Sequence, residues 1–168
     1  MKILITGVHG FVGANLVGYL KGAHEIYGLD IVAPKKEGVV KTFRWENLEV
    51  ESGELKDENG SRIEPDAIIH LAGKAHDTKN KSAAEVYFKV NTGLTQKIFD
   101  FFMASSAKKF IFFSTAKAAA DRVEGILTEE VVPAPVGPYG ESKIKAEEYI
   151  LDKLKIENGE LKNKDVYI

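Results

Sequence analysis

Tyr139 and Lys143, in the stretch YGESK, stand four residues apart where a helix begins. On a helix that spacing puts both side chains on one face. A phenol is a poor base near neutral pH, because it ionises at about 10. A neighbouring ammonium favours its ionised form. The pair therefore offers a general acid/base partner for a hydride transfer, with the lysine also able to hold the ribose of a nicotinamide nucleotide. Taken alone, such a pair is more often plain surface, so the rest of the chain has to decide.

The deciding feature is GVHGFVG, with glycines at Gly7, Gly10 and Gly13. It follows a short apolar run and opens a helical pattern. Glycines in that place permit a tight turn and a close approach of backbone to a pyrophosphate. The helix start then supplies free N–H groups and a favourable dipole. Asp30 ends the next strand pattern, where a carboxylate binds the ribose hydroxyls of NAD and repels a 2′-phosphate. Lys35 and Lys36, just downstream, carry charge that would suit NADP, which is the second choice.

These residues need elements to position them. KILIT (2–6) is a short buried strand and 11–21 a helix with Val12, Leu16 and Leu20 on one face. HEIYGLD (24–30) and KTFRW (41–45) read as the second and third strands. The stretch 47–65 is polar and poorly patterned. DAIIHLAG (66–73) and KKFIFFS (108–114) are buried strands. Between them, 82–104 carries Ala83, Tyr87, Val90, Leu94, Ile98, Phe101 and Phe102 at helical spacing. Residues 116–138 show no periodicity and include three prolines, which marks a functional loop. A last helix covers 139–154. Apolar strands alternating with helices predict an α/β fold, a doubly wound parallel sheet. One domain, 1–168, is expected. The chain turns apolar again at Val166-Tyr167-Ile168, as if a further strand began. This suggests the N-terminal part of a longer protein.

The bulk numbers exclude other classes. The 168 residues carry a net charge of −2 and no cysteine. Without a basic stripe, nucleic acid is not an expected partner. No disulfide or thiolate metal site can form, and the four histidines lack metal-ligand spacing. His70, within an apolar strand, reads as a hydrogen-bonded core histidine, and His76 as a residue that could approach substrate. Glu129 and Glu130 read as surface charge. No segment has signal-peptide or transmembrane character, so a cytoplasmic protein with no membrane partner is expected.

Several motifs recur in one order: ITGVHGFVG, Asp30, HLAG (70–73), Asn91 in VNTG, Ser114-Thr115 and YGESK. Across nearly the whole chain, this order resembles the extended short-chain dehydrogenase/reductases, in the NAD-dependent epimerase/dehydratase family. The resemblance implies a Rossmann fold and assigns roles. Gly7, Gly10, Phe11, Val12 and Gly13 would hold the pyrophosphate and Asp30 the adenosine ribose. Asn47 and Leu48 would lie near the adenine, Asn47 departing from the family's usual Asp. Leu71, Ala72, Gly73, Asn91 and Ser114 would complete the cofactor site with Tyr139 and Lys143. Thr115, Tyr139 and Lys143 match the catalytic Ser/Thr, Tyr and Lys. Members exceed this chain in length, and their second half supplies most of the nucleotide-sugar pocket, so this chain alone would be inactive. The helices at 82–104 and 139–154 match those that pair across a homodimer.

In the family's sugar 4,6-dehydratases, an Asp-Glu pair follows the catalytic Thr; here Ala116 and Lys117 stand instead. Alanine moves no proton and lysine has the wrong polarity, which argues against elimination. Ala118 to Ala120 replace the family's usual Val-Tyr-Gly, so unusual sugar contacts beside Thr115 are expected. HLAG and STAK look most like bacterial nucleotide-sugar 4-epimerases of surface-polysaccharide pathways. The implied reading is an NAD-dependent nucleotide-sugar epimerase acting on a UDP-sugar. The alternatives are an NAD(P)-dependent sugar 4-ketoreductase and a non-catalytic dinucleotide sensor; the retained Tyr-Lys pair speaks against the last.

Overall fold

A computed structural model of the chain describes residues 1–74, 82–123, 125–128, 130–156 and 163–168. The expectations placed on His76 and Glu129 lie outside these described residues. In chain order the elements are β1 (Lys2–Thr6), α1 (Phe11–Leu20), β2 (Glu25–Leu29), β3 (Lys41–Phe43), β4 (Leu48–Glu49), β5 (Glu54–Lys56), β6 (Arg62–Ile63) and β7 (Ala67–His70). There follow α2 (Ala84–Tyr87), a π-helical turn (Phe88–Gly93), α3 (Leu94–Ala104), β8 (Lys109–Phe112), α4 (Ala116–Ala119), α5 (Pro138–Ile156) and β9 (Asp165–Tyr167). They form two compact units. One contains Met1–Ala72, Lys97–Phe113 and residues 163–168; the other contains Gly73–Gln96 and the chain from Ser114 through α5.

The first unit is built on a six-stranded parallel sheet in the order β3-β2-β1-β7-β8-β9. Numbered among themselves, these strands run 3-2-1-4-5-6, the order of the doubly wound dinucleotide-binding fold. Strand alternation sorts the apolar side chains to two faces. Ile3, Ile5, Ile69 and Ile111 share one cluster with Val17, Leu16 and Leu20 of α1. The intervening positions point the other way, where Phe110 of β8 packs on Phe99 and Phe102 of α3, with ring centroids 5.1 and 5.3 Å apart. Each such buried aromatic contributes about 1.5–3 kcal/mol by burial, and each ring pair adds about 0.5–1.5 kcal/mol. The end of α3 is closed by Lys164. Its Nζ donates at 2.8–2.9 Å to the carbonyls of Phe102 in the last turn of α3 and of Ser105 and Ala107 just past it. Burial, then the nearby Lys108 charge, pushes its pKa down to about 8.

Three local expectations are corrected. The stretch 47–65 holds a small antiparallel sheet, β4-β5-β6. Each of its strands buries only one apolar residue (Leu48, Leu55 and Ile63), too few to produce a period. On α1 the fully buried positions are Gly13 and Val17; Leu16 and Leu20 pack half-buried on the same cluster as expected, while Val12 is exposed. The helix lies close against its neighbours through a residue with no side chain, which turns Val12 outward. Along 84–104 the π turn rotates the buried face, so that Asn91 and Thr95 are buried where Val90 and Leu94 are only half-buried.

In the second unit, α5 packs against α2, the π turn and α4. Thr115 begins α4, its hydroxyl accepting from Lys117 N at 3.3 Å. This short helix and a parallel bridge between Ala120 and Ala134 give partial order to the region read as a loop. Among the described residues no helix is long and apolar enough to cross a membrane.

Candidate active site

The glycine loop is fixed by contacts that exclude side chains. Gly7 has φ +69°, and its amide donates to Leu29 O at 2.9 Å while its carbonyl accepts from Gly10 N at 2.9 Å. A Cβ on Gly13 would lie 2.5 Å from Gly7 O and 2.8 Å from Val8 Cα, so only glycine fits. Gly10 caps α1 without any side-chain partner, and Phe11 and Val12 are exposed there. The first helical N–H groups therefore face outward, in the arrangement that receives an anion. Asp30 is pinned beside the loop: its Oδ2 accepts from His9 N at 3.1 Å and its Oδ1 from Ile31 N at 2.7 Å. Each oxygen keeps a further lone pair for a hydroxyl donor. Lys35 and Lys36 line a cavity of about 570 Å³ with Pro34, Lys41 and Thr42.

The loop after β7 is held by Thr6. Its Oγ1 accepts from Leu71 N at 3.1 Å and from Ala72 N at 2.9 Å. With both lone pairs used, the hydroxyl proton goes to His70 Nδ1 at 2.6 Å. His70 is fully buried and hydrogen-bonded to Thr6, as expected of a core histidine. Asn47 lies in a 3₁₀ turn, where its Oδ1 accepts from Arg44 N at 2.8 Å, and Leu48 is buried in β4.

In the second unit, Tyr139 and Lys143 lie on one face of α5, one turn apart. Lys143 is only 6% exposed. Its Nζ lies 3.7 Å from where a Cβ of Gly73 would stand. Burial pushes its pKa down to about 8, against the opposing pull of the Glu147 carboxylate. Tyr139 meets the edge of Tyr87, with centroids 6.3 Å apart. It lines a cavity of about 480 Å³ with Ser82, Tyr87, Lys117, Asp121 and Pro138. Lys117 pairs there with Asp121 at 2.8 Å, so the position expected to be acidic in an eliminating site holds a paired cation.

Asn91 is fully buried in the π turn. Its Oδ1 accepts from Lys74 N at 2.7 Å, and its Nδ2 donates to Lys74 O at 3.2 Å and to Ser142 Oγ at 2.9 Å. Ser142 Oγ in turn donates to Tyr139 O at 2.8 Å. This network ties the segment after Gly73 to the first turn of α5. Ser114 Oγ donates to Glu147 Oε1 in a very short contact.

The sequence profile of the NAD dependent epimerase/dehydratase family matches residues 3–154. The chain belongs to that family. Among curated relatives, the UDP-glucose 4-epimerase of Halalkalibacterium halodurans is 24% identical over 88% of this chain and 44% of its own length. The GDP-6-deoxy-D-mannose reductase of Pseudomonas aeruginosa is 30% identical over 89% of this chain and 46% of its own. Among solved structures, the UDP-Glc/GlcNAc 4-epimerase of Campylobacter jejuni superposes with a TM-score of 0.74 at 26% identity, over 94% of this chain and 50% of that one. The chain thus spans about half the length of the relatives it matches.

Within this family member, sequence reasoning missed Thr6, Ser142 and Glu147. Thr6 and Ser142 act through partners 64 to 66 and 51 residues away, which leaves no local pattern. Glu147 had one available signal, its position one helical turn after Lys143.

Proposed function

We propose that this chain is the dinucleotide-binding part of an NAD-dependent nucleotide-sugar 4-epimerase, with a UDP-sugar as substrate. The observation that carries the reading is the pair on α5: a buried Lys143 one turn from Tyr139, which opens on a cavity. Gly7, Gly10 and Gly13 with the start of α1 suit a pyrophosphate, and Asp30 suits ribose hydroxyls, so these residues fit NAD. When bound, NAD would accept a hydride from the sugar carbon and return it. Tyr139 takes the proton of the C4 hydroxyl and gives it back. Lys143, largely charged near neutral pH with its pKa at about 8, stabilises the phenolate and holds the nucleotide ribose. Thr115, whose hydroxyl accepts from Lys117 N, donates its own proton to the same sugar oxygen. Leu71 and Ala72 are held by Thr6 to line the cofactor. Asn91 supports the first turn of α5, which carries Tyr139 and Lys143, through Lys74 and Ser142. A homodimer formed through the helices at 84–104 and 138–156 belongs to the same proposal.

The protein carrying this chain, given NAD and UDP-glucose or UDP-N-acetylglucosamine, is expected to form the C4 epimer. Tyr139→Phe is expected to remove turnover while NAD binding persists. Unchanged turnover in that variant would refute the role of Tyr139. The second reading is a sugar 4-ketoreductase, favoured by the 30% identity to a GDP-sugar reductase. Net consumption of NADPH without epimer formation would establish it instead.

A further inference from the structure

We propose that His9 is a cofactor-positioning residue: its side chain anchors the glycine loop to β3 through Thr42 and so presets the loop for the pyrophosphate of NAD. That role rests on the reading of Gly7, Gly10 and Gly13 as the pyrophosphate loop. His9 stands inside the loop, half-buried between buried Val8 and exposed Gly10. Its Nε2 lies 3.2 Å from Thr42 Oγ1, in a hydrogen bond between residues 33 apart in the chain. Its backbone N–H donates to Asp30 Oδ2 at 3.1 Å. One residue thus holds β3 by its ring and the acid just past β2 by its amide.

The path across β2 is open because Gly28 carries no side chain. Gly28 stands opposite Thr42 in the sheet register. A Cβ on Gly28 would lie 2.5 Å from Val8 Cγ1 and 2.8 Å from Thr42 Oγ1. The bare position lets Val8 and Thr42 close over the strand and brings the threonine hydroxyl within reach of His9. The two anchors of His9 differ in what a ligand does to them. Asp30 is the acceptor offered to the ribose hydroxyls, so its hold on His9 N is shared with the cofactor. The bond to Thr42 involves no group assigned to the cofactor and persists whether or not NAD is bound. Glycines give a loop many conformations, which are lost when the backbone closes on a pyrophosphate. An anchor already made in the free chain lowers that cost, and the saving appears as affinity. Gly7 fixes one end of the loop through its amide to Leu29 O at 2.9 Å, and His9 fixes the middle.

Calorimetry with NAD on the protein carrying this chain tests this role. It is run well below the unfolding temperature, where a bond that serves stability alone leaves affinity unchanged. His9→Ala and Thr42→Val are each expected to weaken NAD about twofold to tenfold, the effect of one net hydrogen bond. Both variants remove the same bond, so the double variant should bind like the weaker single one. Thr42→Ser, which keeps the hydroxyl, should bind as wild type does. NAD bound equally by wild type and both single variants overturns the proposal. Losses that multiply in the double variant overturn it too, as does a loss in Thr42→Ser equal to that in Thr42→Val. Should His9→Ala fail to fold, Thr42→Val decides by the same comparison, because it keeps the shape of the side chain. A wild-type protein that binds no NAD overturns the cofactor reading itself and this role with it. Wild-type binding with unaltered affinity in the variants overturns this role alone.

Discussion

Replacing Gly13 and Gly18 of α1 with alanine, one at a time, isolates the close contact that shapes the nucleotide loop. Both residues lie in one ten-residue helix. Either substitution gains helix propensity, about 0.5–1 kcal/mol in a helix interior. At Gly18 nothing lies within 4 Å of the new Cβ, so that gain stands. At Gly13 the new Cβ would be 2.5 Å from Gly7 O and 2.9 Å from Val8 O, well inside the ordinary contact range that begins at 3.4 Å. These neighbours are backbone atoms of a turn whose Gly7 carbonyl already accepts from Gly10 N, so no rotamer change relieves the overlap. Forced packing of this kind costs about 1–3 kcal/mol. Because the propensity term occurs in both variants, their difference reports the contact itself. Gly18→Ala should exceed Gly13→Ala in stability by about 1–3 kcal/mol, and each kcal/mol corresponds to about 2–4 °C in Tm at this chain length. Thermal unfolding followed by circular dichroism reads the gap. Calorimetry with NAD adds a second measure, with an expected loss of about tenfold or more in affinity for Gly13→Ala, equivalent to about 1.4 kcal/mol, and none for Gly18→Ala. Two variants of equal stability would refute the claim that Gly13 is required by the approach of helix to loop.

Two further perturbations test the supports of the site. Thr6→Val keeps the shape of the side chain but deprives Leu71 N, Ala72 N and His70 Nδ1 of their partner, and is expected to cost about 2–4 kcal/mol in urea unfolding. Thr6→Ser, which keeps the hydroxyl, should cost much less; equal losses would show that the hydroxyl is not what matters. Lys143 and Lys164 both have pKa values lowered to about 8 from 10.5, so above about 8 the unfolded chain binds more protons than the folded one. Stability is therefore expected to rise between about pH 8 and about pH 10, and to be insensitive to these groups below that window. Urea midpoints at about pH 7.5 and about pH 9.5 read the effect, which Lys164→Met should diminish; a wild-type midpoint that falls over this range contradicts it.

How much of this was legible in the sequence follows from how far each feature's cause lies along the chain. The inner strands of the parallel sheet are covered on both faces, so β1, β7 and β8 appear as local apolar runs and could be read directly, whereas β3 and β9 at the edges carry little buried apolar surface. The glycine loop is equally local, because its turn, cap and helix start occupy seven consecutive residues. The β4-β5-β6 sheet was not legible, since it rests on one buried apolar residue per strand and on pairing between segments. On α1 only Val12 was misplaced, because the closest approach is made by its neighbour Gly13, which carries no hydrophobic signal, while Leu16 and Leu20 pack on the core as their spacing predicts. The π turn adds a residue to one helical turn, so a constant 3.6-residue period fails across it and buried Asn91 escapes the apolar pattern.

The same distinction separates the chemistry of the site from its support. Tyr139 and Lys143 declare themselves by spacing, because one helix supplies both. What holds them is assembled across distance: Asn91 reaches Ser142 from 51 residues away, and Ser114 reaches Glu147 from 33. Both links end on α5, on residues 142 and 147 that bracket Lys143. A helix fixed at two points by buried or half-buried polar groups resists sliding along its axis, because a shift of one residue, about 1.5 Å, would break both links together. Placement of the Tyr-Lys pair thus depends on residues that carry no catalytic signature of their own. Variants at Asn91, Ser142 or Glu147 should consequently misplace the pair without removing either of its members.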